Sequence, residues 1–270
     1  MKDQFEHEGG TVAYSAKGKG FPAIFLHGFC EDSTVWDDFI SGMTDGGYRI
    51  ICIDLPGFGR SEIAEKDCSI EEMGNAVLEV TKRLELKKFV LIGHSMGGYV
   101  SLAVAAQAGD RLAGLGLFHS HPYPDSDQKK AGRDKGISFI KQHGHPLFVK
   151  QLIPTLFAPE FAAGNGFLVD KMVFKAAQYR EWGILNALAA MRDRPDRSAV
   201  LSEIACPVLF ILGEKDQVIP REIDHLQTTL PQVAVVHTLA KAGHMGMLEA
   251  QNATRKFCME FVEFCRQKAG

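Results

Sequence analysis

Apolar residues in this chain fall into short runs, separated by stretches in which apolar positions recur at helical spacing. The runs at residues 11–16, 23–26, 49–53, 89–92 and 113–118 read as strands. Helical windows lie at 35–43, 70–84 and 96–108. Ser69-Ile70-Glu71-Glu72 is a capping signal with acids in the first turn. This alternation predicts α/β units around a largely parallel sheet. The pattern changes after Phe118. From 119 to 198 no strand is expected, and the helical windows are 128–142, 147–157, 168–179 and 182–191. Pro146, Pro159, Gly164 and Gly166 punctuate them. Strand-like runs return at 207–212 and 233–239, and an amphipathic helix at 249–267 follows. The expected organisation is an α/β core of residues 1–118 and 199–270 with a helical insertion at 119–198. An insertion at the carboxyl end of a strand lies beside the ligand crevice of an α/β sheet, so a lid is expected there.

Composition narrows the class. The apolar fraction of 46% and charged fraction of 23% suit a soluble enzyme. A net charge of -3 argues against nucleic acid or an anionic membrane as partner. The longest apolar runs fall well short of the ~20 residues a membrane span needs. The first eight residues are polar and carry no signal-peptide core. The six cysteines (Cys30, Cys52, Cys68, Cys206, Cys258 and Cys265) form no C-x-x-C pair and no zinc rhythm. Reduced thiols and a cytoplasmic location are therefore expected.

Chemistry enters at Gly93-His94-Ser95-Met96-Gly97, between a strand-like run and a helical one. That is the strand–turn–helix setting of a nucleophile elbow. A serine hydroxyl needs a base within hydrogen-bond reach, and the base needs an orienting carboxylate. In the elbow arrangement they follow in the order Ser, Asp or Glu, His. Asp216 lies on a polar turn beyond the run 207–212, and His244 lies in Ala242-Gly243-His244-Met245-Gly246 beyond the last strand. Glu214 and Asp125 are rival acids, and Asp216 is favoured over both. An oxyanion needs two backbone N–H donors. One is expected at Met96, at a helix N-terminus, and the other at Phe29 in the loop His27-Gly28-Phe29-Cys30.

With these residues in place, the chain resembles the α/β-hydrolase superfamily. The likeness is carried by His27-Gly28-Phe29, by Asp54-Leu55-Pro56-Gly57-Phe58-Gly59-Arg60-Ser61, by Gly93 to Gly98, and by Gly213 to Asp216 with Gly243-His244. It covers the core and not the insertion. The resemblance implies an eight-stranded, mostly parallel sheet with helices on both faces and a helical cap. It also implies a serine-hydrolase mechanism through an acyl-enzyme. Relatives that use aspartate at the elbow, the haloalkane dehalogenases and epoxide hydrolases, are excluded by Ser95. Small esterases, enol-lactonases and carbon–carbon-bond hydrolases with a helical cap are the nearest likenesses.

The expected reaction is hydrolysis of small to medium, partly apolar carboxylic esters, with no cofactor. Lactone opening, carbon–carbon cleavage and cofactor-free perhydrolysis use the same three groups, and a ligand receptor that retains them is a reading from another class. The insertion is rich in large apolar residues that mostly pack at helical spacing. Phe148, Leu152 and Trp182 are expected at the substrate pocket, with Cys30, His119, His121 and Met245. His119-x-His121 and His143-x-His145 have a chelating spacing, but no acid or thiol set completes either one, so no metal is expected. Lys129, Lys130, Arg133 and Lys135 read as a solvated helix face.

Overall fold

A parallel strand covered on both faces must be apolar at nearly every position, and an edge strand need be apolar only at alternate ones. A computed structural model of the chain, which describes residues 2–62 and 68–269, sorts its strands in this way. The strands are β1 (Lys2–His7), β2 (Gly10–Gly18), β3 (Phe21–Leu26), β4 (Tyr48–Ile53), β5 (Phe89–His94), β6 (Leu112–Phe118), β7 (Val208–Gly213) and β8 (Ala234–Leu239). Every residue of β5, β6 and β7 is buried, whereas exposed positions alternate with half-buried ones along most of β8. The sheet order is β1-β2-β4-β3-β5-β6-β7-β8. The pairs β1/β2 and β2/β4 are antiparallel and the remaining pairs are parallel.

This order creates the site. From β3 the chain moves outward to β4, then crosses back to β5 on the opposite flank of β3. The loops that leave β3 and β5 therefore diverge, and a crevice opens at their carboxyl ends. Leu26 pairs with Gly93 and His94 with Phe118, so β3, β5 and β6 end at nearly one level.

The helices are α1 (Ile70–Arg83), α2 (Met96–Ala108), α3 (Asp127–His143), α4 (His145–Leu152), α5 (Pro159–Gly164), α6 (Gly166–Ala176), α7 (Glu181–Asp193), α8 (Ser198–Glu203), α9 (Arg221–Thr228), α10 (Gly246–Glu249) and α11 (Gln251–Ala269). Ser69 closes a capping box with Glu72 at the start of α1. Helix α2 is apolar all round and buried along most of its length between the sheet and α1. Among the described residues, those between β6 and β7 hold helices and no strand.

Three expectations need correction. The window 35–43 forms 3-10 turns rather than an α-helix, and Gly42 at φ +85° ends it. Its apolar stripe of Trp36, Phe39, Ile40 and Met43 is nonetheless buried. The window 147–157 is α4 followed by a 3-10 turn at Ile153–Leu156, because Pro154 offers no N–H to continue the α ladder. The final window, 249–267, corresponds to α11, which a break at Ala250 (φ −137°, ψ 43°) separates from the short α10. Strand β1 reads as a polar tail in sequence, since an edge strand with mostly polar side chains leaves little apolar signal. Helices α5, α8 and α9 also went unanticipated; at six to eight residues they are too short for a clear period.

Candidate active site

Ser95 sits where β5 turns into α2, at φ 50° and ψ −114°. A non-glycine residue in that region carries roughly 1–3 kcal/mol of strain and persists only where its surroundings over-determine it. Here Ser95 N–H donates to Phe118 O at 2.9 Å, and Ser120 Oγ–H donates to Ser95 O at 2.8 Å. The flanking glycines are required by contact. A Cβ on Gly93 would lie 2.2 Å from Gly97 O, and one on Gly97 would lie 2.6 Å from His27 O.

His244 is brought to Ser95 by the loop after β8. Its Nε2 lies 2.8 Å from Ser95 Oγ and its Nδ1 lies 2.7 Å from Asp216 Oδ2. The loop is anchored from two sides. His244 N–H donates to Leu156 O at 2.7 Å, and Glu249 accepts from the N–H groups of Gly243, Met245 and Ala158. Since Asp216 accepts at Nδ1, that nitrogen carries the proton and Nε2 is free to receive one.

Asp216 is held by four donors. Its Oδ1 accepts from Val218 N–H (2.7 Å) and Ile219 N–H (3.1 Å), and its Oδ2 accepts from His244 and from His119 Nδ1 at 3.1 Å. Burial pushes this carboxyl up, but His244 and His119 outweigh it and hold it well below the usual carboxylate range. Among its rivals, Asp125 is clamped between Arg194 (2.7 Å) and Arg133 (3.0 Å), and Glu214 pairs with Arg221 on the surface.

His119 is therefore not a pocket wall but the partner of the acid. It is buried at the end of β6 with φ 49°, and its Nε2 accepts from Gly246 N–H at 3.3 Å. That bond fixes the proton on Nδ1, facing Asp216. Burial lowers its pKa to about 4, so the ring is neutral at pH 7. His121 accepts from Tyr123 N–H and packs on the rings of Tyr99 and Tyr123. Burial, with Arg194 and Lys129 nearby, lowers its pKa to about 3.

Phe29 lies just beyond β3, with its ring against Phe58 and Phe148 at centroid distances of 6.2 and 6.4 Å. Cys30 is buried at φ 60° and its thiol is pushed up by burial. Met96 opens α2, so its N–H has no intrahelical acceptor. Met245 is fully buried, and Leu152 packs against the core. Trp182 is 39% exposed and lines a 280 Å³ cavity with Arg60 and Arg180, whose lining does not include Ser95. Lys129 and Arg133 do not form a solvated face: Lys129 Nζ donates to Val218 O and Arg133 pairs with Asp125.

Ligand atoms of His119, Asp216 and His244 lie within 4.8 Å of one another. Both imidazole Nδ1 atoms address the same carboxylate oxygen as hydrogen-bond donors, which leaves no lone pair there for a cation. His143 packs on Phe139, and His145 Nε2 meets Ala177 O.

Sequence reading missed Glu31, His94 and Glu249. Each stands within five residues of Phe29, Ser95 or His244. An acid or imidazole flanking a motif was the available signal. The motif Asp54 to Ser61 proves to be a brace: Asp54 accepts from Ser33 and Arg60 N–H, and His27 Nε2 accepts from Leu55 N–H.

The model of the alpha/beta hydrolase family matches residues 23–256. The chain is 30% identical over 253 residues to the dihydrolipoyllysine-residue acetyltransferase component of an acetoin cleaving system from Pseudomonas putida, covering 90% of this chain and 64% of that protein. It thus spans less than two thirds of that relative's length. It is 26% identical over 275 residues to a 2-hydroxy-6-oxo-6-phenylhexa-2,4-dienoate hydrolase of Comamonas testosteroni, covering 93% and 91% of the two chains. Among solved structures, a thermophilic esterase from Thermogutta terrifontis in a malate-bound form matches with a TM-score of 0.91 and 27% identity, covering 98% of this chain and 99% of that one. No described helix is long and apolar enough to cross a membrane.

Proposed function

The chain belongs to the alpha/beta hydrolase family, and from that premise we propose that it hydrolyses small to medium, partly apolar carboxylic esters through an acyl-enzyme on Ser95. The observation that carries this reading is the line Ser95 Oγ–His244 Nε2–Asp216 Oδ2, with steps of 2.8 and 2.7 Å, on a strained turn. The likeness to the Thermogutta terrifontis esterase supports it.

In this mechanism Ser95 Oγ attacks the ester carbonyl as His244 Nε2 takes its proton. Asp216 keeps the imidazole oriented and stabilises its cationic form. The N–H groups of Phe29 and Met96 receive the oxyanion, each worth about 3 kcal/mol. His244 then returns the proton to the leaving alcohol. Water, deprotonated by His244, releases the acid and restores Ser95. His119 acts on Asp216 rather than on substrate. Residues 119–198 form a cap in this reading, with Phe148 facing Phe29 over the crevice. The six cysteines form no C-x-x-C pair in the sequence, which supports work in a reducing compartment, the cytoplasm.

The test is fluorophosphonate labelling followed by a panel of p-nitrophenyl esters of varied acyl length. Wild type should be labelled on Ser95 and turn over short and medium esters, and Ser95→Ala should do neither. A Ser95→Ala variant with wild-type turnover would sink the reading. The similarity to a dienoate hydrolase makes carbon–carbon cleavage the second reading. Turnover of 2-hydroxy-6-oxo-dienoates alone, with esters untouched, would favour it.

A further inference from the structure

His94 stands between Gly93 and Ser95, and the chemistry above gives it no role. Its side chain is 1% exposed. Its Nε2 lies 2.8 Å from His244 O, and its Nδ1 lies 3.2 Å from Glu31 Oε2. A carbonyl oxygen has no proton to offer, and the same Glu31 oxygen already accepts from Gly28 N–H at 2.8 Å. A ring that meets acceptors on both sides donates from both nitrogens, which only the imidazolium form does. Three segments therefore meet on one ring: the elbow itself, the loop that presents Phe29, and the loop that presents His244. The approach is close, since a Cβ on Gly28 would lie 2.6 Å from His94 Nδ1.

We propose that His94, paired with Glu31, is a positioning residue that locks the His244 loop and the Phe29 loop in register with Ser95. The proposal rests on the reading of Ser95 as nucleophile and His244 as base. Asp216, the His244 ring at 5.1 Å and the His119 ring at 6.2 Å also face His94, and His27 lies near Glu31. Burial opposes the charge on His94, but Glu31 and the His244 carbonyl outweigh it and raise its pKa. Burial likewise pushes Glu31 up, and His94 with Gly28 N–H brings it below its ordinary value. A raised imidazole pKa makes the lock complete below the ordinary value of 6.5 and loses it as pH climbs through the folded value. Once deprotonated, the ring can satisfy one acceptor only. Either the His244 carbonyl is released or a buried carboxylate is left unpaired.

Two variants and one spectrum test this. Glu31→Gln keeps an oxygen for Gly28 and His94 but removes the charge. His94→Gln removes the ring. Ring-nitrogen NMR of wild type reads the protonation of His94 directly, without substrate. We expect both ring nitrogens protonated at pH 7. The kcat of Glu31→Gln should fall at lower pH than that of wild type. His94→Gln should lose about a hundredfold in kcat, the scale of a small misplacement of reacting groups, with KM little changed and circular dichroism retained. If His94→Gln does not fold, the spectrum and Glu31→Gln decide. A singly protonated His94 at pH 7, or a Glu31→Gln profile that follows wild type at every pH, overturns the proposal. Wild type unlabelled at Ser95 removes the esterase reading and this one with it. Wild type labelled at Ser95 with an unshifted Glu31→Gln profile removes this one alone.

Discussion

Under the proposed mechanism, replacing Asp216 by Asn isolates what its carboxylate does. The amide has one oxygen and one NH2, and the structure dictates which goes where. Oδ1 accepts from Val218 and Ile219 N–H, so the amide oxygen must take that side. The NH2 then faces His244 Nδ1, where the carboxylate accepted at 2.7 Å. A donor now meets a donor. His244 escapes by moving its proton to Nε2, which can then no longer receive the Ser95 proton. A flip of the amide offers no rescue, because it sets NH2 against two backbone N–H groups. The wrong tautomer costs a serine hydrolase about 10⁴ in kcat, or roughly 5 kcal/mol at ~1.4 kcal/mol per decade. KM should change little. His119 fares no better: its Nδ1–H also meets the NH2, and its Nε2 is committed to Gly246 N–H. One buried donor left without an acceptor costs about 1–3 kcal/mol, or a Tm lower by about 2–5 °C. Sign matters for pH. The Asp216 carboxyl is depressed in the folded state, so its stabilisation is present above the ordinary carboxylate value and fades as pH falls below it. The Tm gap between wild type and Asp216→Asn should therefore narrow below about pH 4. The assay is steady-state hydrolysis of p-nitrophenyl acetate, with thermal melts from pH 3 to 8. A variant within tenfold of wild-type kcat would refute the tautomer argument.

Other expectations follow from single contacts. Gly93→Ala puts a methyl 2.2 Å from Gly97 O, so it should cost about 3 kcal/mol by overpacking and abolish labelling of Ser95; a labelled, wild-type-stable variant would contradict it. Ser69→Ala opens the capping box of α1 and should lower stability by about 1 kcal/mol in urea without changing kcat. Cys30, Cys52, Cys258 and Cys265 are buried with thiols pushed up, and Cys206 is pushed up to about 12. Ellman titration of native protein should find these thiols slow, and urea should release all six cysteines; rapid native reaction of these buried thiols would count against the packing.

What could be read from the chain beforehand was whatever local pattern encodes. A strand buried on both faces has to be apolar throughout, so β5, β6 and β7 stand out as runs. A tight turn between strand and helix needs small residues, so Gly93 and Gly97 mark the elbow before any coordinates exist. Strand β1 escaped because an edge strand needs no such run. The turns at 33–46 escaped because helical periodicity of buried side chains does not distinguish an α-helix from a series of tighter turns.

The sequence alone determined the kind of fold and the serine, acid and histidine beyond their strands, since periodicity and motif spacing are properties of neighbouring residues. Tertiary structure alone decided how those groups are held. His119 and Asp216 are 97 positions apart, and His94 reaches Glu31 across 63 positions and the His244 carbonyl across 150. No local pattern encodes such a pairing, because the folded sheet, by placing the ends of β3, β5, β6, β7 and β8 side by side, is what brings those side chains within hydrogen-bond reach.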